Sequence, residues 1–386
     1  MPSSKFGAHI PADWARPLTD PQAFAREQNK LAHVWTFLGF ERDVARDGDW
    51  FRTTLAARSV FVQRFGSELK GFENRCMHRF YPLRTSDKGN GPIVCGFHHW
   101  RYNEEGQAIG IPMCADVFEM TPREVNARLN RIEIATCGSL IFGRFPESRT
   151  TETLEQFLGE GFPIFAAMSR MSGAPQSIIR EVEANWRTCF QTSIDDYHIV
   201  AVHPATLGKD GYLKRKEIGY FRFGVHNAHF DATDPRALSA MAESCRNGTW
   251  RPSDYRIFHV FPSLAVSIFC AYAQYWYIHL LQFSPISPNR SLMRAWIYPS
   301  PFPVAHARHV KWTWPFTHPW RERAVRYYLN RVLREDTDVC EQLQTVAHQV
   351  QEPPLIGALE QRIGWFEESY ARAMSAGDGE GADAGL

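Results

Sequence analysis

The sequence predicts an α+β protein with two folded parts, a small all-β part and a larger part that combines strands with helices. Three observations carry this prediction. Short β-rich segments cut by turn residues run from about residue 37 to 145, further strands lie between about 218 and 298, and helical spacing dominates the C-terminal region. With 386 residues and 44% hydrophobic content, the chain is long enough for one large domain or two ordinary ones.

Forty-three Lys plus Arg against 42 Asp plus Glu leave a formal charge of +1. No excess charge steers the chain toward nucleic acid or an anionic membrane surface, and neither is an expected partner. The opening "MPSSKFGAHIPADW" has no apolar core of a secretory signal, so a cytoplasmic location is expected and the eight cysteines need not pair.

Along the chain, "DPQAFAREQNKLAHVW" begins with an Asp cap and Pro21 at the first helical position, which predicts a helix in an N-terminal segment, residues 1–36. The β domain follows at 37–145, where "SVFVQRFGSELKGFEN" reads as strand, Gly66-Ser67 turn, strand. A second domain takes residues 146–375, with a helical passage, the strands and the C-terminal helices. Its uncharged run from Leu264 to Phe283 is long enough for a membrane span. Gln274, His279 and Gln282, with many β-branched and aromatic neighbours, favour two buried strands instead. A Pro-rich loop, "YPSPFPV", precedes the C-terminal helices, and the tail at 376–386 is expected to be disordered.

Two constellations carry chemistry. In the β domain, "CMHRFYPLRTSDKGNGPIVCGFHHW" offers Cys76-x-His78 and, after sixteen intervening residues, Cys95-x-x-His98. Each loop supplies one thiolate and one imidazole. Mixed arms suit a two-iron centre in which both thiolates bind one iron and both imidazoles the other, the ligand set of a Rieske [2Fe-2S] cluster. A structural zinc site more often pairs like ligands within an arm; zinc and a chance placement of four turn residues are the competing readings. His99 adjoins the second loop but nothing in the spacing recruits it.

The second constellation is "DDYHIVAVHP". His198 and His203 suit ferrous iron, and one carboxylate would complete a 2-His-1-carboxylate facial triad with positions open to dioxygen. Pro204 disfavours the helical conformation at His203, so a helix should end there, while Asp195 and His198 keep neighbouring positions on a helix face. In the C-terminal region Val325, Leu329, Val332, Asp336, Val339 and Leu343 trace one helix face. An ionised Asp336 in that apolar stripe needs a partner or a metal. The competing reading makes Asp336 an N-cap at a helix break in "REDTDV". His226 and His229, three apart on a strand, fall on opposite faces and read as ordinary polar residues.

With both constellations in view, the chain resembles the catalytic α subunit of the Rieske non-heme iron oxygenases, the ring-hydroxylating dioxygenases and related monooxygenases. The resemblance covers most of the chain and rests on "CMH…CGFHHW", "NWRTCFQTSIDDYHIVAVH" and "EDTDVCEQLQ". It implies Cys76, His78, Cys95 and His98 as cluster ligands and His198, His203 and Asp336 as ligands of a mononuclear Fe(II). It makes Asp195 the catalytic bridging carboxylate, hydrogen-bonded to a cluster histidine, by analogy His98, of a neighbouring subunit. A homotrimer follows, with or without a β subunit. The implied fold is a β Rieske domain beside a helix-grip catalytic domain, an antiparallel sheet closed over a long helix. The chain departs from the family where Phe80 stands for Gly after Arg79, where His99 stands for Gly before Trp100, and where Gln191 and Thr192 replace Glu-Asn. Asp196 receives no role.

The function implied is a terminal oxygenase component. Electrons from a reductase or ferredoxin, and O2, would serve to hydroxylate a small apolar substrate, with an aromatic ring as the first choice. No Gly-rich dinucleotide motif stands in the chain, so NAD(P)H would be used by a separate component. Oxidative O- or N-demethylation or other monooxygenation is the second choice. An electron carrier without oxygenase activity and a zinc-stabilised binding protein are the readings from other classes.

Overall fold

The computed structural model describes residues 10, 14–147, 151–171, 174–207, 218–271, 275–300 and 308–375. The tail expected to be disordered and most of the "YPSPFPV" loop lie outside them. The chain divides into two compact units, Ala32–Leu154 and a larger one made of Met1–Leu31 with Glu155–Leu386. The smaller unit thus begins before residue 37 and ends after 145. Its flanks are tied together by hydrogen bonds from Phe145 N to Ala32 O (2.8 Å) and from Trp35 Nε1 to Glu152 O (3.2 Å).

In the smaller unit the strands are β1 (Thr36–Phe40), β2 (Asp49–Leu55), β3 (Arg58–Phe65), β4 (Glu68–Glu73), β5 (Lys88–Asn90), β6 (Ile93–Val94), β7 (Arg101–Tyr102), β8 (Ala108–Gly110), β9 (Arg131–Cys137) and β10 (Leu140–Arg144). They form a seven-stranded sheet in the order β1-β10-β9-β4-β3-β2-β5 and a small sheet β6-β7-β8. The β3–β4 hairpin closes Phe65 against Glu68 over the Gly66-Ser67 turn, and Gly66 takes the positive φ (56°) that such a tight turn requires. Phe61, Phe72, Ile93, Trp100, Tyr102 and Leu129 form a core that continues to Cys76 and Cys95. The two Cys/His loops are therefore anchored in packed side chains.

The larger unit includes the N-terminal helix α1 (Pro21–Leu31), whose first turn is capped by Asp20 Oδ1, accepting from the Gln22 and Ala23 amides at 2.8 and 3.3 Å. Its sheet comprises β11 (Gln176–Val182), β12 (Gly219–Phe223), β13 (His226–Phe230), β14 (Arg256–Val260), β15 (Leu264–Ala271), β16 (Tyr275–Ser287) and β17 (Arg290–Pro299). These pair antiparallel in the order β11-β17-β16-β15-β14-β13-β12. The uncharged run from Leu264 supplies β15 and most of β16, paired from Leu264–Gln282 to Ala271–Tyr275. No helix among the described residues is long and apolar enough to cross a membrane.

Helices α2 (Trp186–Ile194), α3 (Ile199–Val202), α4 (Arg308–Val346) and α5 (Gln361–Ser375) build the rest of the site. Two expectations need correction. Helix α2 ends at Ile194, with Asp195 extended (ψ 125°), so Asp195 and His198 do not share a helix face. Instead Asp195 Oδ1 accepts from the Tyr197 amide at 2.6 Å and lies 3.4 Å from that of His198, starting the next turn. His203 does leave the helical phase at the end of α3, at φ −112° and ψ 41°, just before Pro204. Helix α4 runs unbroken through Asp336, which excludes the N-cap reading. The buried face is Val325, Val332, Leu333, Thr337 and Cys340, whereas Leu343 is 48% exposed. Eighteen residues at about 100° each bring Leu343 back in line with Val325, so its exposure reflects what covers that end of α4 and not a change of phase.

Candidate metal centres

The two loops of the smaller unit share one backbone pattern. Cys76 N donates to Tyr81 O and Phe80 N to Cys76 O; Cys95 N donates to Trp100 O and His99 N to Cys95 O. The residue four places after each cysteine adopts the left-handed conformation, Phe80 at φ 59° and His99 at φ 55°. These turns bring the two half-buried histidines together, with Nδ1 of His78 and Nδ1 of His98 3.1 Å apart. Trp100 stacks on His78 with centroids 5.1 Å apart and planes 3° apart. Both thiols are buried. Burial pushes the Cys76 thiol up, and the Cys95 thiol beside it adds to the shift. Two adjacent buried thiolates need positive charge to be stable, and the paired imidazole nitrogens offer lone pairs to the same place, so the donor set fits a [2Fe-2S] cluster. Tyr102 Oη lies 3.1 Å from Cys76 Sγ and also accepts from the Met77 amide at 3.1 Å.

In the larger unit His198 Nε2, His203 Nε2 and Asp336 Oδ1 converge. The two nitrogens are 3.2 Å apart, and Asp336 Oδ1 lies 3.2 Å from the first and 2.9 Å from the second. Among the described residues, this is the group of three or more metal-ligating side chains whose donor atoms share a single point. No N–H is aligned on Asp336 Oδ1, a buried oxygen left without a hydrogen-bond partner. Three lone-pair atoms about 3 Å apart fit one face of an octahedral cation with bonds of about 2.1 Å. The residues present therefore fit ferrous iron.

The outer nitrogens face other carboxylates. His203 Nδ1 is 2.8 Å from Glu335 Oε2, which also accepts from Thr206 Oγ1 at 2.8 Å. Such a bond places the proton on Nδ1 and frees Nε2 for a metal. His198 Nδ1 is 3.4 Å from Asp195 Oδ2. Burial opposes charge on His198, but Asp195 and Asp336 outweigh it and push its pKa up to about 10. Without a metal, this carboxylate-rich pocket calls for a cation. Glu335 had no signal in the sequence beyond standing next to Asp336.

Asp196 lies at the centre of a buried network. Its Oδ2 accepts from Tyr220 Oη (2.7 Å), Arg362 Nη2 (2.9 Å) and His229 Nδ1 (2.9 Å). Burial works against its charge, but Arg362, His229 and Tyr220 hold the carboxyl well below the usual range. Arg362 also donates to Ile194 O at 2.6 Å, so the last carbonyl of α2 and the residue after Asp195 are fixed by one guanidinium. His226 turns the other way, its Nε2 2.8 Å from Phe157 O, and takes no part. Gln191, a departure from the family pattern, bonds Glu367 away from the iron ligands, whereas Thr192 borders the cavity.

A cavity of about 230 Å3 opens beside the triad. Its walls are Leu329, Val332 and Leu333 of α4 on one side and Ile257, Phe269 and Leu281 of the sheet on the other, with His198, His203 and Asp336 at its edge.

Residues 34–122 match the family described as "Rieske [2Fe-2S] domain", and residues 170–376 match "Ring hydroxylating alpha subunit (catalytic domain)". The α2 subunit of the terminal oxygenase component of terephthalate 1,2-dioxygenase from Comamonas sp is 29% identical over 201 residues, 48% of this chain and 47% of the relative. This chain spans about half the length of the curated relatives it matches. Naphthalene 1,2-dioxygenase from Rhodococcus sp., in a structure with indole bound, superposes with a TM-score of 0.73 at 18% identity over 94% of each chain. A quaternary ammonium Rieske monooxygenase in complex with L-carnitine gives 0.68 at 16% identity over 95% of each chain. At these identities the structures speak for the fold: a Rieske domain joined to a mixed catalytic domain whose antiparallel sheet faces a long helix. Together, the matched catalytic domain, the Rieske domain and the residues fit to hold a [2Fe-2S] cluster and a mononuclear iron show that this chain belongs to the ring-hydroxylating α-subunit family.

Proposed function

We propose that the protein is the terminal component of an oxygenase that uses O2 and electrons from a reductase or ferredoxin to oxidise a small, largely apolar molecule. The observation that carries this reading is the convergence of His198 Nε2, His203 Nε2 and Asp336 Oδ1 at the edge of the cavity. When bound, the mononuclear iron supplies dioxygen activation and the cluster one-electron transfer. The chain's own residues provide the setting. Glu335 holds the proton on His203 Nδ1 and so fixes that ring's orientation. The apolar side chains of α4 and the sheet exclude water from the reacting face and position the substrate. Asp195, on the far side of His198 from the convergence point, is the residue we assign to contact with His98 of a neighbouring copy, which makes a homotrimer the expected assembly.

The test combines metal analysis with product analysis. The wild-type chain should carry about three irons, two in the cluster and one in the triad, and Asp336→Asn about two. With a surrogate reductase and labelled O2, wild type should incorporate label into product and Asp336→Asn should not. One retained atom denotes monooxygenation and two denote dihydroxylation. An Asp336→Asn protein with unchanged iron and turnover would sink the proposal.

A further inference from the structure

Four buried histidines lie on the sheet of the larger unit: His226 and His229 on β13, His259 on β14 and His279 on β16. Three are bonded within the protein. His226 bonds Phe157 O and the Phe261 amide, His229 bonds Asp196, and His259 bonds Ser193 O and Arg362. His279 is 9% exposed and has no hydrogen-bond partner among the described residues; its Nε2 is buried and orphaned. It is also the one of the four that lines the cavity beside the triad. Buried polar side chains are nearly always paired, and an exception at a cavity wall marks where a ligand atom belongs.

The strand register explains its position. His279 stands opposite Ser267 of β15, which stands opposite Ile257 of β14, so one row of side chains crosses the sheet. Two residues along each strand, Phe269 and Leu281 lie on the same face and also line the cavity. A single Ser–His pair is thus set into an apolar wall. Burial pushes the His279 pKa down to about 4, so the ring is neutral at neutral pH and offers one donor and one acceptor.

Resting on the oxygenase reading above, we infer that His279 is the polar anchor of the substrate cavity. Its ligand is a neutral compound of about one ring in size carrying a hydroxyl or carbonyl group. The size follows from the 230 Å3 volume, since an apolar cavity of about 150 Å3 already admits benzene. The neutrality follows from the lining: among its described residues there is no lysine or arginine to pair a carboxylate, and the apolar side chains of both walls disfavour an unpaired charge.

Calorimetric binding to the iron-loaded protein, without oxygen or electron donor, tests this with acetophenone, ethylbenzene and benzoate as probes. Acetophenone should bind wild type about tenfold more tightly than ethylbenzene, the factor expected of one buried hydrogen bond. His279→Leu, close in volume and apolar, should bring the two probes within about twofold. His279→Gln, which keeps a donor and an acceptor, should retain most of the preference. Equal affinities in wild type, an unchanged preference in both variants, tightest binding by benzoate, or no binding by any probe would each overturn the inference. Binding that follows His279 without labelled product in the turnover assay would fault the oxygenase reading alone. Labelled product with a probe preference indifferent to His279 would fault only the anchor.

Discussion

Phe80 and His99 hold the same place in two loops, four residues after Cys76 and Cys95, and both are left-handed. A non-glycine residue pays roughly 1–2 kcal/mol for that conformation, a cost that glycine does not bear. Beneath the first loop, Tyr102 Oη bonds Cys76 Sγ, and a hydrogen bond to a ligating sulfur stabilises the reduced cluster more than the oxidised one. Tyr102→Phe should lower the cluster midpoint potential by about 40 mV, the equivalent of roughly 1 kcal/mol in a one-electron couple. Redox titration of the cluster absorbance reads this, and an unmoved potential would rule the bond out as a tuning device. At this scale the sequence was most legible where donors are local, as in Cys76-x-His78 and Cys95-x-x-His98. Asp336 was half legible, because an acid interrupting an apolar stripe shows without its partners. Glu335 and Tyr102 were invisible, since a bond to His203 or to Cys76 depends on how distant segments meet.

Between elements, the break separating α2 from α3 governs where His198 and His203 stand. Asp195 starts the new turn, and Asp196, held by Arg362, His229 and Tyr220, locks it. Asp196→Ala would leave a buried guanidinium uncompensated and should cost about 3–5 kcal/mol of stability at pH 7, measured by urea unfolding. The sign of its pH dependence follows from the depressed carboxyl pKa of the folded state. The stabilisation is present above the ordinary carboxylate value near 4 and is lost as pH falls below it, so wild type and variant should converge in acid. A gap that persists undiminished below about pH 4 would contradict the ionised network. The doublet of acids was plain in the sequence, but Arg362 lies 166 residues away and the helix break follows no Pro or Gly, so neither the network nor the end of α2 could be read. The strands of the Leu264–Phe283 run were readable from composition; the register that sets Ser267 beside His279 was not.

At the level of the whole molecule, each metal station is assembled inside one unit, Cys76 to His98 within Ala32–Leu154 and His198 to Asp336 within the larger one. Loading should therefore be separable. Cys76→Ser should abolish the visible absorbance of the cluster while about one iron per chain remains, measured by metal analysis on the folded protein. Loss of all iron from a folded chain would show that the two stations load together. The two-part α+β architecture was legible from segment patterns, whereas the inclusion of 146–154 in the smaller unit was not, because it depends on Trp35 meeting Glu152. Helix α4 carries both the Asp336 ligand and one wall of the cavity, Leu329, Val332 and Leu333. Any shift or rotation of α4 that reshapes the pocket also displaces a ligand. The opposite wall, on β14, β15 and β16, contains no ligand to the triad. The two walls thus differ in how freely they can be altered: a substitution on α4 puts the Asp336 donor at risk, while the sheet face can be rewritten one side chain at a time without touching the triad.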